Sequence, residues 1–240
     1  MDSNLTDIEM SLSEHLEELR QRMLLSFGVF ITATFLGLSV IKKIVSILQA
    51  PALGVKFLQL APGEFFFTSV KVGIFFGAII VSPFVIYQLF LFIIPGMTSN
   101  ERQILFPFAL SSGLLFFLGV IFSYFVLIPA ALNFFINYGS DVVEPLWSFE
   151  QYLDFILVLL LSTGLCFQIP VIQIIAGLSG IISSSKMLSS WRYVILIATI
   201  LGAILTPSTD PITQILLSSA ILSLFFGGCF ILRFLESESS

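Results

Sequence analysis

The chain has 240 residues, of which 57% are hydrophobic and only 10% are charged, and its 27 phenylalanines exceed the usage of ordinary soluble proteins. A formal net charge of −5 with ten Lys and Arg excludes a basic face for nucleic acid. Apolar stretches recur along almost the whole length, so we predict an all-α polytopic membrane protein.

In chain order, the first predicted element is an amphipathic helix over residues 11–22. Ser11 and Glu14 have the S-x-x-E spacing of a capping box, and leucines then recur on one helical face as far as Met23. We expect this helix to lie along the membrane surface and to turn into the bilayer at about Met23.

Six membrane-spanning helices follow, on the requirement of roughly 20 apolar residues for each span. The chain is therefore expected to form one integral membrane domain that ends in a short polar tail at 233–240. The spans are predicted near residues 23–41, 69–94, 104–128, 152–178, 191–205 and 212–232.

The distribution of Lys and Arg predicts that both termini lie on the cytoplasmic or stromal side. Two of the three loops on the opposite side contain neither residue, although the first carries Lys42, Lys43 and Lys56. Because Lys and Arg concentrate in the loops that stay on the cytoplasmic side, the positive-inside rule favours this orientation.

The fifth apolar run, Trp191–Leu205, is unusually short. It would form about 22 Å of helix at about 1.5 Å per residue, less than the roughly 30 Å of a hydrocarbon core. We expect it to thin the bilayer locally or to sit in a protein-lined recess. A tight hairpin over 206–211 then leads to the sixth span, and a turn-forming role is expected for Asp210 at least as much as a functional one.

The run of residues 13–22, S-E-H-L-E-E-L-R-Q-R, concentrates charge where the first span begins. One interpretation is a solvated helix face with a Glu18–Arg22 pair at i, i+4, which adds only a few tenths of a kcal/mol. The other interpretation is a carboxylate surface that captures a cationic peptide. His15 is interpreted as a surface residue.

The loop between the second and third spans carries Glu101 and Arg102 on the same side of the membrane as Glu18. Glu101 can simply occupy the first turn of the third span, after a cap at Ser99 or Asn100. Alternatively, Glu18 and Glu101 form an acidic pair suited to a pair of guanidinium groups, since arginine binds carboxylate bidentately.

Gln168 is a polar side chain inside the fourth apolar run. It is expected either to make a hydrogen bond between helices or to mark a polar patch that faces a substrate or partner inside a cavity.

Catalysis finds no support in the sequence. The sole histidine, His15, lies outside the predicted spans, so an intramembrane serine hydrolase would lack a histidine base. The chain contains no G-x-x-x-x-G-K-[ST] nucleotide loop and no metal-ligand spacing. We therefore expect no enzyme activity, no cofactor and no metal site, and energy for any transport would come from the transmembrane potential or from partners.

Five motifs, in this order, resemble the TatC family, the signal-peptide receptor subunit of the twin-arginine protein translocase. They are S-E-H-L-E-E-L-R-Q-R, A-P-G-E-F-F-F-T-S-V-K-V, Y-Q-L-F-L-F-I-I-P-G followed by N-E-R, F-Q-I-P, and L-T-P-S-T-D-P. The resemblance implies a six-helix, cupped scaffold that binds the Arg-Arg signal peptides of folded precursors. It also implies single-span partner subunits of the TatA and TatB type, assembly into homo- or hetero-oligomers, and transport driven by the proton-motive force.

The family's functional positions can be transferred onto this sequence by their motifs. At Gln168 many bacterial members have Glu, and Gln is typical of plastid and cyanobacterial members. Pro51 matches a proline of the first opposite-side loop that is important for the fold, and Asp210 lies in the matching loop motif. The signal-peptide-binding positions are Glu18, Arg20, Phe92, Glu101 and Arg102.

The resemblance favours a plastid thylakoid membrane, with a bacterial or cyanobacterial inner membrane as the alternative. Two other functions stay open at the level of the residues, namely a small-solute or ion carrier and a scaffold subunit without peptide binding. The sequence has no inverted internal repeat with paired broken helices, which disfavours the carrier.

Overall fold

The computed structural model describes residues 12–52, 54–93, 99–138, 146–206 and 210–238, and the side chains of 13–52, 54–92, 110–138, 146–206 and 210–236. Two short parallel strands, β1 (Lys56–Leu58) and β2 (Leu146–Ser148), pair at one end of the molecule. The helices in these ranges are α1 (Leu12–Ser39), α2 (Ile41–Gln49), α3 (Glu64–Ile93), α4 (Ser99–Phe122), α5 (Ile128–Tyr138), α6 (Phe149–Cys166), α7 (Ile169–Leu178), α8 (Ser184–Ser189), α9 (Trp191–Leu205) and α10 (Pro211–Glu238).

The described residues contain five helical segments that are long and apolar enough to cross a membrane, and the shorter apolar helix α9. This architecture agrees with the predicted all-α polytopic membrane protein. The five long segments are Ser13–Ser39, Glu64–Phe92, Leu110–Tyr138, Phe149–Leu178 and Pro211–Glu236.

Helix α1 differs from the sequence prediction because it does not turn at Met23. It runs without interruption over 28 residues, a length of about 42 Å at about 1.5 Å per residue. The residues around Met23 include no Gly or Pro that would break the helix. The amphipathic segment at 11–22 is therefore the first part of the same rod as the first span.

Beyond the third predicted span, 104–128, the helix continues to Tyr138. A π-helical turn over Ser123–Leu127 joins α4 to α5, and the Ile128 N–H donates to the Ser123 carbonyl. Pro129 follows at the start of α5, where its missing N–H and fixed φ are tolerated. The wider π turn carries the helix past this proline.

The fourth predicted span consists of two helices rather than one. Helix α6 ends at Cys166 and α7 begins at Ile169, with Phe167 and Gln168 between them. Pro170 lies in the first turn of α7, where it disfavours a continuous helix because its ring clashes with the carbonyl four residues earlier. The largest core cluster is centred on α6, whose fully buried side chains include those of Leu153, Ile156, Leu157 and Leu159.

Helices α1 and α3 touch through small residues. A Cβ on Gly77 would lie 2.4 Å from Thr34 Oγ1 and 3.0 Å from the Thr34 backbone N, and one on Gly73 would lie 2.5 Å from Leu38 Cδ2. The G-x-x-x-G spacing therefore brings the two backbones close together, as in other membrane helix pairs. Helix α1 packs mainly on α3 and makes few contacts elsewhere.

The strand end of the molecule is held by side chains that satisfy backbone groups. Buried Glu64, the first residue of α3, accepts hydrogen bonds from the N–H groups of Leu60 at 2.6 Å, Ala61 at 3.0 Å and Glu150 at 3.2 Å. The Lys71 ammonium lies 2.9 Å from Glu150 and 2.8 Å from Asp154. These contacts join the start of α3 to the start of α6.

Candidate functional site

The candidate site lies where the beginning of α1 meets the end of α3. Its outermost contact is an aromatic stack, in which the His15 imidazole lies on the Phe92 ring with centroids 4.1 Å apart and planes inclined by 13°. Helix α1 therefore brings His15 against a position that the family resemblance assigns to the binding region. His15 is a helix–helix contact and not only a surface residue.

One helical turn further along α1, Glu18 binds Arg22 as the i, i+4 spacing predicts. Arg22 Nε donates to Glu18 Oε1 at 3.0 Å, and Nη2 donates to the same oxygen. Arg22 Nη1 also donates to Gln88 Oε1 of α3 at 3.0 Å. The pair is thus fixed to the neighbouring helix, unlike a solvated surface pair.

The side chains of Glu18, Arg22 and Gln88 form the polar mouth of the site. Next to it, an apolar groove of about 490 Å³ opens between α1 and α3. It begins where the close glycine contact between the two helices ends. Leu165 of α6 contributes to its wall. The lining residues are Leu19, Arg22, Met23, Ser26, Phe27, Phe30, Ala78, Val81, Ser82, Val85, Ile86, Gln88, Leu89, Phe92 and Leu165.

Arg20 is not brought together with Glu18. Its guanidinium lies 2.6 Å from Glu17, and the Arg20 side chain is 69% exposed. Positions 18 and 20 are about 200° apart around a helix, so their side chains point to different faces. The arginine that contacts Glu18 is Arg22.

The site assignments of Glu101 and Arg102 stay predictions. The backbone places both residues in the first turn of α4, which begins at Ser99. Their side chains lie outside the part of the chain whose side chains are described.

Gln168 occupies the bend between α6 and α7 and does not line the groove. Its Nε2 donates to the Ser112 carbonyl of α4 at 3.0 Å, so the predicted interhelical hydrogen bond is present. Its Oε1 is buried and has no hydrogen-bond partner among the described residues. The structure therefore separates Gln168 from the Glu18 pair.

The two loop positions lie at the opposite end of the bundle and have structural contacts. Pro51 sits in a 3-10 turn, Ala50–Ala52, directly after α2. Asp210 is 1% exposed and precedes α10, where its Oδ1 accepts the Thr213 N–H at 2.7 Å and its Oδ2 accepts the Thr213 hydroxyl. Asp210 is thus the N-cap of α10, with Pro211 at the first helical position.

Among the described residues, no group of three or more His, Cys, Asp or Glu side chains could hold a metal ion. Cys166 and Cys229 are both buried and free. The polar side chains of the site are suited to binding a charged group, and its walls are suited to binding an apolar one.

Sequence reasoning missed one residue of this site, Gln88, and therefore the contact that ties Arg22 to α3. Gln88 was not singled out, although it lies in an apolar run as Gln168 does. Its partner Arg22 is 66 residues away. The available signal was the same as for Gln168, a buried amide in a predicted span.

Comparisons with known sequences agree on one family. A family model described as Sec-independent protein translocase protein (TatC) matches residues 14–219. A TatC-like protein of Pyropia yezoensis is 63% identical over 230 residues, covering 96% of this chain and 91% of that protein. TatC of Synechocystis is 55% identical over 229 residues, covering 95% and 90%, and chloroplastic TATC of Pisum sativum is 50% identical over 230 residues, covering 95% and 65%.

The fold comparison gives the same result. A crystal structure of the twin-arginine translocase receptor TatC superposes with a TM-score of 0.80 at 33% identity, covering 92% of this chain and 99% of that one. The apolar helices and the chloroplast and cyanobacterial relatives identify a multi-pass protein of a thylakoid or bacterial inner membrane. The resemblance indicated by the motifs is confirmed, and the chain belongs to the TatC family of Sec-independent protein translocase components.

Proposed function

We propose that this chain is the receptor subunit of a twin-arginine translocase and that the Arg-Arg motif of a signal peptide binds at Glu18. One observation carries the proposal. Glu18 already holds a guanidinium group, that of Arg22, at the mouth of an apolar groove. The site is therefore chemically suited to arginine.

The order of polar and apolar groups along the groove supports the same function. A signal peptide has its basic motif before an apolar segment. The polar part of the groove lining includes Arg22, which binds the Glu18 carboxylate, and the apolar walls are formed by residues such as Phe27 and Leu89. A peptide that enters with its arginines at Glu18 would bury its apolar segment between α1 and α3.

Glu101 is proposed as the second carboxylate of the receptor site. It lies in the first turn of α4, and α4 begins a few residues after Phe92. Two carboxylates would match two guanidinium groups, each through a charge-assisted hydrogen-bond pair. Arg102 would then have a positioning role beside Glu101.

The wider function is proposed from the family. Both termini would lie on the stromal or cytoplasmic side, where precursors arrive. The receptor would work with TatA- and TatB-type single-span subunits in an oligomer, and the proton-motive force would drive transport. The 15 residues of α9 would thin the bilayer where these subunits assemble.

A binding experiment tests the receptor. The full chain in detergent is titrated with a fluorescent signal peptide that carries Arg-Arg before an apolar segment, and with its Lys-Lys counterpart. Glu18→Gln should weaken Arg-Arg binding about tenfold or more, since a hydrogen bond to a charged group contributes about 1.5–3 kcal/mol. Glu101→Lys should weaken it more than Glu101→Gln.

Glu17→Gln is the matched control, because Glu17 pairs with Arg20 on the exposed face and not at the groove. It should bind like the wild type. Wild-type affinity in Glu18→Gln would refute the receptor site at Glu18, and wild-type affinity in Glu101→Lys would refute the role of Glu101. Specific solute flux in liposomes that contain this chain alone would instead favour a carrier.

A further inference from the structure

Arg22 occupies the proposed arginine site with its own guanidinium. Its guanidinium donates twice to Glu18 Oε1 and once to Gln88 Oε1. The side chains of Arg22 and Glu18 are only 23% and 20% exposed, and Gln88 is 8% exposed. This arginine is thus partly enclosed and is fixed by groups on two helices.

The neighbouring pair on the same helix has none of these features. Arg20 and Glu17 are 69% and 47% exposed, and among the described side chains Arg20 makes no hydrogen bond or ion pair with another helix. A pair of that kind contributes little to stability, because both ions stay well solvated when it opens. The enclosure of Arg22 is therefore specific to the groove mouth.

The contact between Arg22 and Glu18 leaves part of the carboxylate unused. Both donated hydrogen bonds reach the same oxygen, Oε1. The other oxygen, Oε2, is buried, lies 3.8 Å from His15 Nδ1, and has no hydrogen-bond partner among the described residues. A guanidinium that engaged both oxygens in parallel would make the stronger bidentate contact.

We infer that Arg22 is a resident competitor for the signal arginine, so that a peptide must displace it from Glu18 before it can bind. The inference rests on the proposed function and adds a role for a residue at the same site. An incoming guanidinium replaces the contact of Arg22 with Glu18 Oε1 by a bidentate contact with both carboxylate oxygens. Release of Arg22 also breaks its hydrogen bond to the Gln88 side-chain amide oxygen, so Gln88 stabilises only the state in which Arg22 occupies the site.

The competition has a defined thermodynamic consequence. The unliganded state is the same for every peptide, so a competitor in that state weakens all peptides by one factor. It does not change the ratio of two affinities. Arg22 therefore raises the peptide concentration needed to occupy the receptor. At a given peptide concentration, a weaker Lys-Lys peptide then leaves the receptor empty.

The expected result of removing the competitor follows directly. Arg22→Gln should tighten binding of the Arg-Arg and the Lys-Lys peptides by the same factor, about threefold to tenfold. The ratio of their dissociation constants should stay at the wild-type value. A Lys-Lys peptide should then occupy the receptor at concentrations that leave the wild type empty.

Three further variants separate competition from a simple change of charge. Gln88→Leu keeps every charge and removes one of the two anchors of Arg22, so it should also tighten both peptides. Arg22→Lys keeps the charge but replaces the guanidinium by an ammonium with a single nitrogen, which competes less well for Glu18. It should tighten peptide binding, but by less than Arg22→Gln does. Arg233→Gln removes one arginine charge from an exposed position on α10 and should have no effect beyond general screening.

The experiment is the peptide titration on the full chain with these variants and with Glu18→Gln. Equal tightening for both peptides in Arg22→Gln and Gln88→Leu supports the inference. Weaker binding in Gln88→Leu, or an Arg22→Gln affinity no tighter than that of Arg233→Gln, overturns it. If Glu18→Gln binds Arg-Arg like the wild type, the proposed receptor site itself is wrong, whereas loss of binding there with no gain in Arg22→Gln removes only the inference.

Discussion

His15 and Phe92 stack with their ring centroids 4.1 Å apart, which joins the first turns of α1 to the last turn of α3. We predict that this contact contributes a coupling of about 0.5–1.5 kcal/mol, the range of stacked aromatic pairs. A double-mutant cycle with His15→Ala and Phe92→Ala, measured by thermal unfolding in detergent, gives the coupling directly. His15→Phe keeps a stacked ring and should retain most of the stability. Strictly additive effects would mean that the rings do not interact.

The glycine contact between α1 and α3 gives a second prediction. Gly77→Ala places a Cβ 3.0 Å from the Thr34 backbone N, so α1 must move away, and we expect a loss of about 1–3 kcal/mol. Gly28→Ala is the matched control in α1, because a Cβ there meets nothing within 4 Å. It should be neutral or slightly stabilising, since Ala favours helix. The measurement is the unfolding midpoint of each variant in the same detergent, and equal midpoints for Gly77→Ala and Gly28→Ala would contradict the close contact.

A third prediction concerns the cap of α10. Asp210→Ala removes the acceptor of the Thr213 N–H and should cost about 1–2 kcal/mol, as for other N-caps. Asp210→Asn keeps an oxygen at this position and should cost less. Ser148→Ala at the start of α6 removes a longer cap bond of 3.4 Å and should also cost less than Asp210→Ala. Protease sensitivity near residue 210 and unfolding in detergent measure the loss, and an Asp210→Asn as unstable as Asp210→Ala would point to a role for the charge.

The ion cluster at the strand end gives a fourth prediction. Lys71→Met leaves Glu150 and Asp154 next to each other without their shared cation. The three side chains are partly exposed, so we expect a loss of only about 0.5–1 kcal/mol. Lys43→Met removes the same charge from an exposed site on α2 and should be neutral. Unfolding curves at low and high salt test this, because salt should reduce the difference between Lys71→Met and the wild type.

The sequence predicts helices best where breakers and apolar runs coincide. Helix α9 has the bounds of its apolar run, since Ser190 precedes it and Thr206 with Pro207 follows it. Pro170 indicates a kink in the fourth span, but the sequence specifies neither the complete break at Phe167 and Gln168 nor the continuation of the helix beyond Pro129. A proline can kink a membrane helix, end it or leave it unbroken. Which of these occurs depends on the neighbouring helices that satisfy the freed carbonyls.

The same limit applies to the site. The pair of Glu18 and Arg22 follows from helical spacing alone. Its attachment to Gln88 does not, since only the tertiary contact of α1 with α3 brings these side chains together. Arg20 was placed in the site by its motif, and the helix geometry turns it to the other face.

The close contact of Gly73 and Gly77 of α3 with α1 is confined to one end of α1, far from Glu18. Thr34 contacts Gly77, and Glu18 lies 16 residues away from Thr34, or about 24 Å along the helix. A tilt of about 5° about this point would move Glu18 by about 2 Å. A given change in the angle between α1 and α3 would therefore alter the spacing of the two helices more at Glu18 than at Thr34.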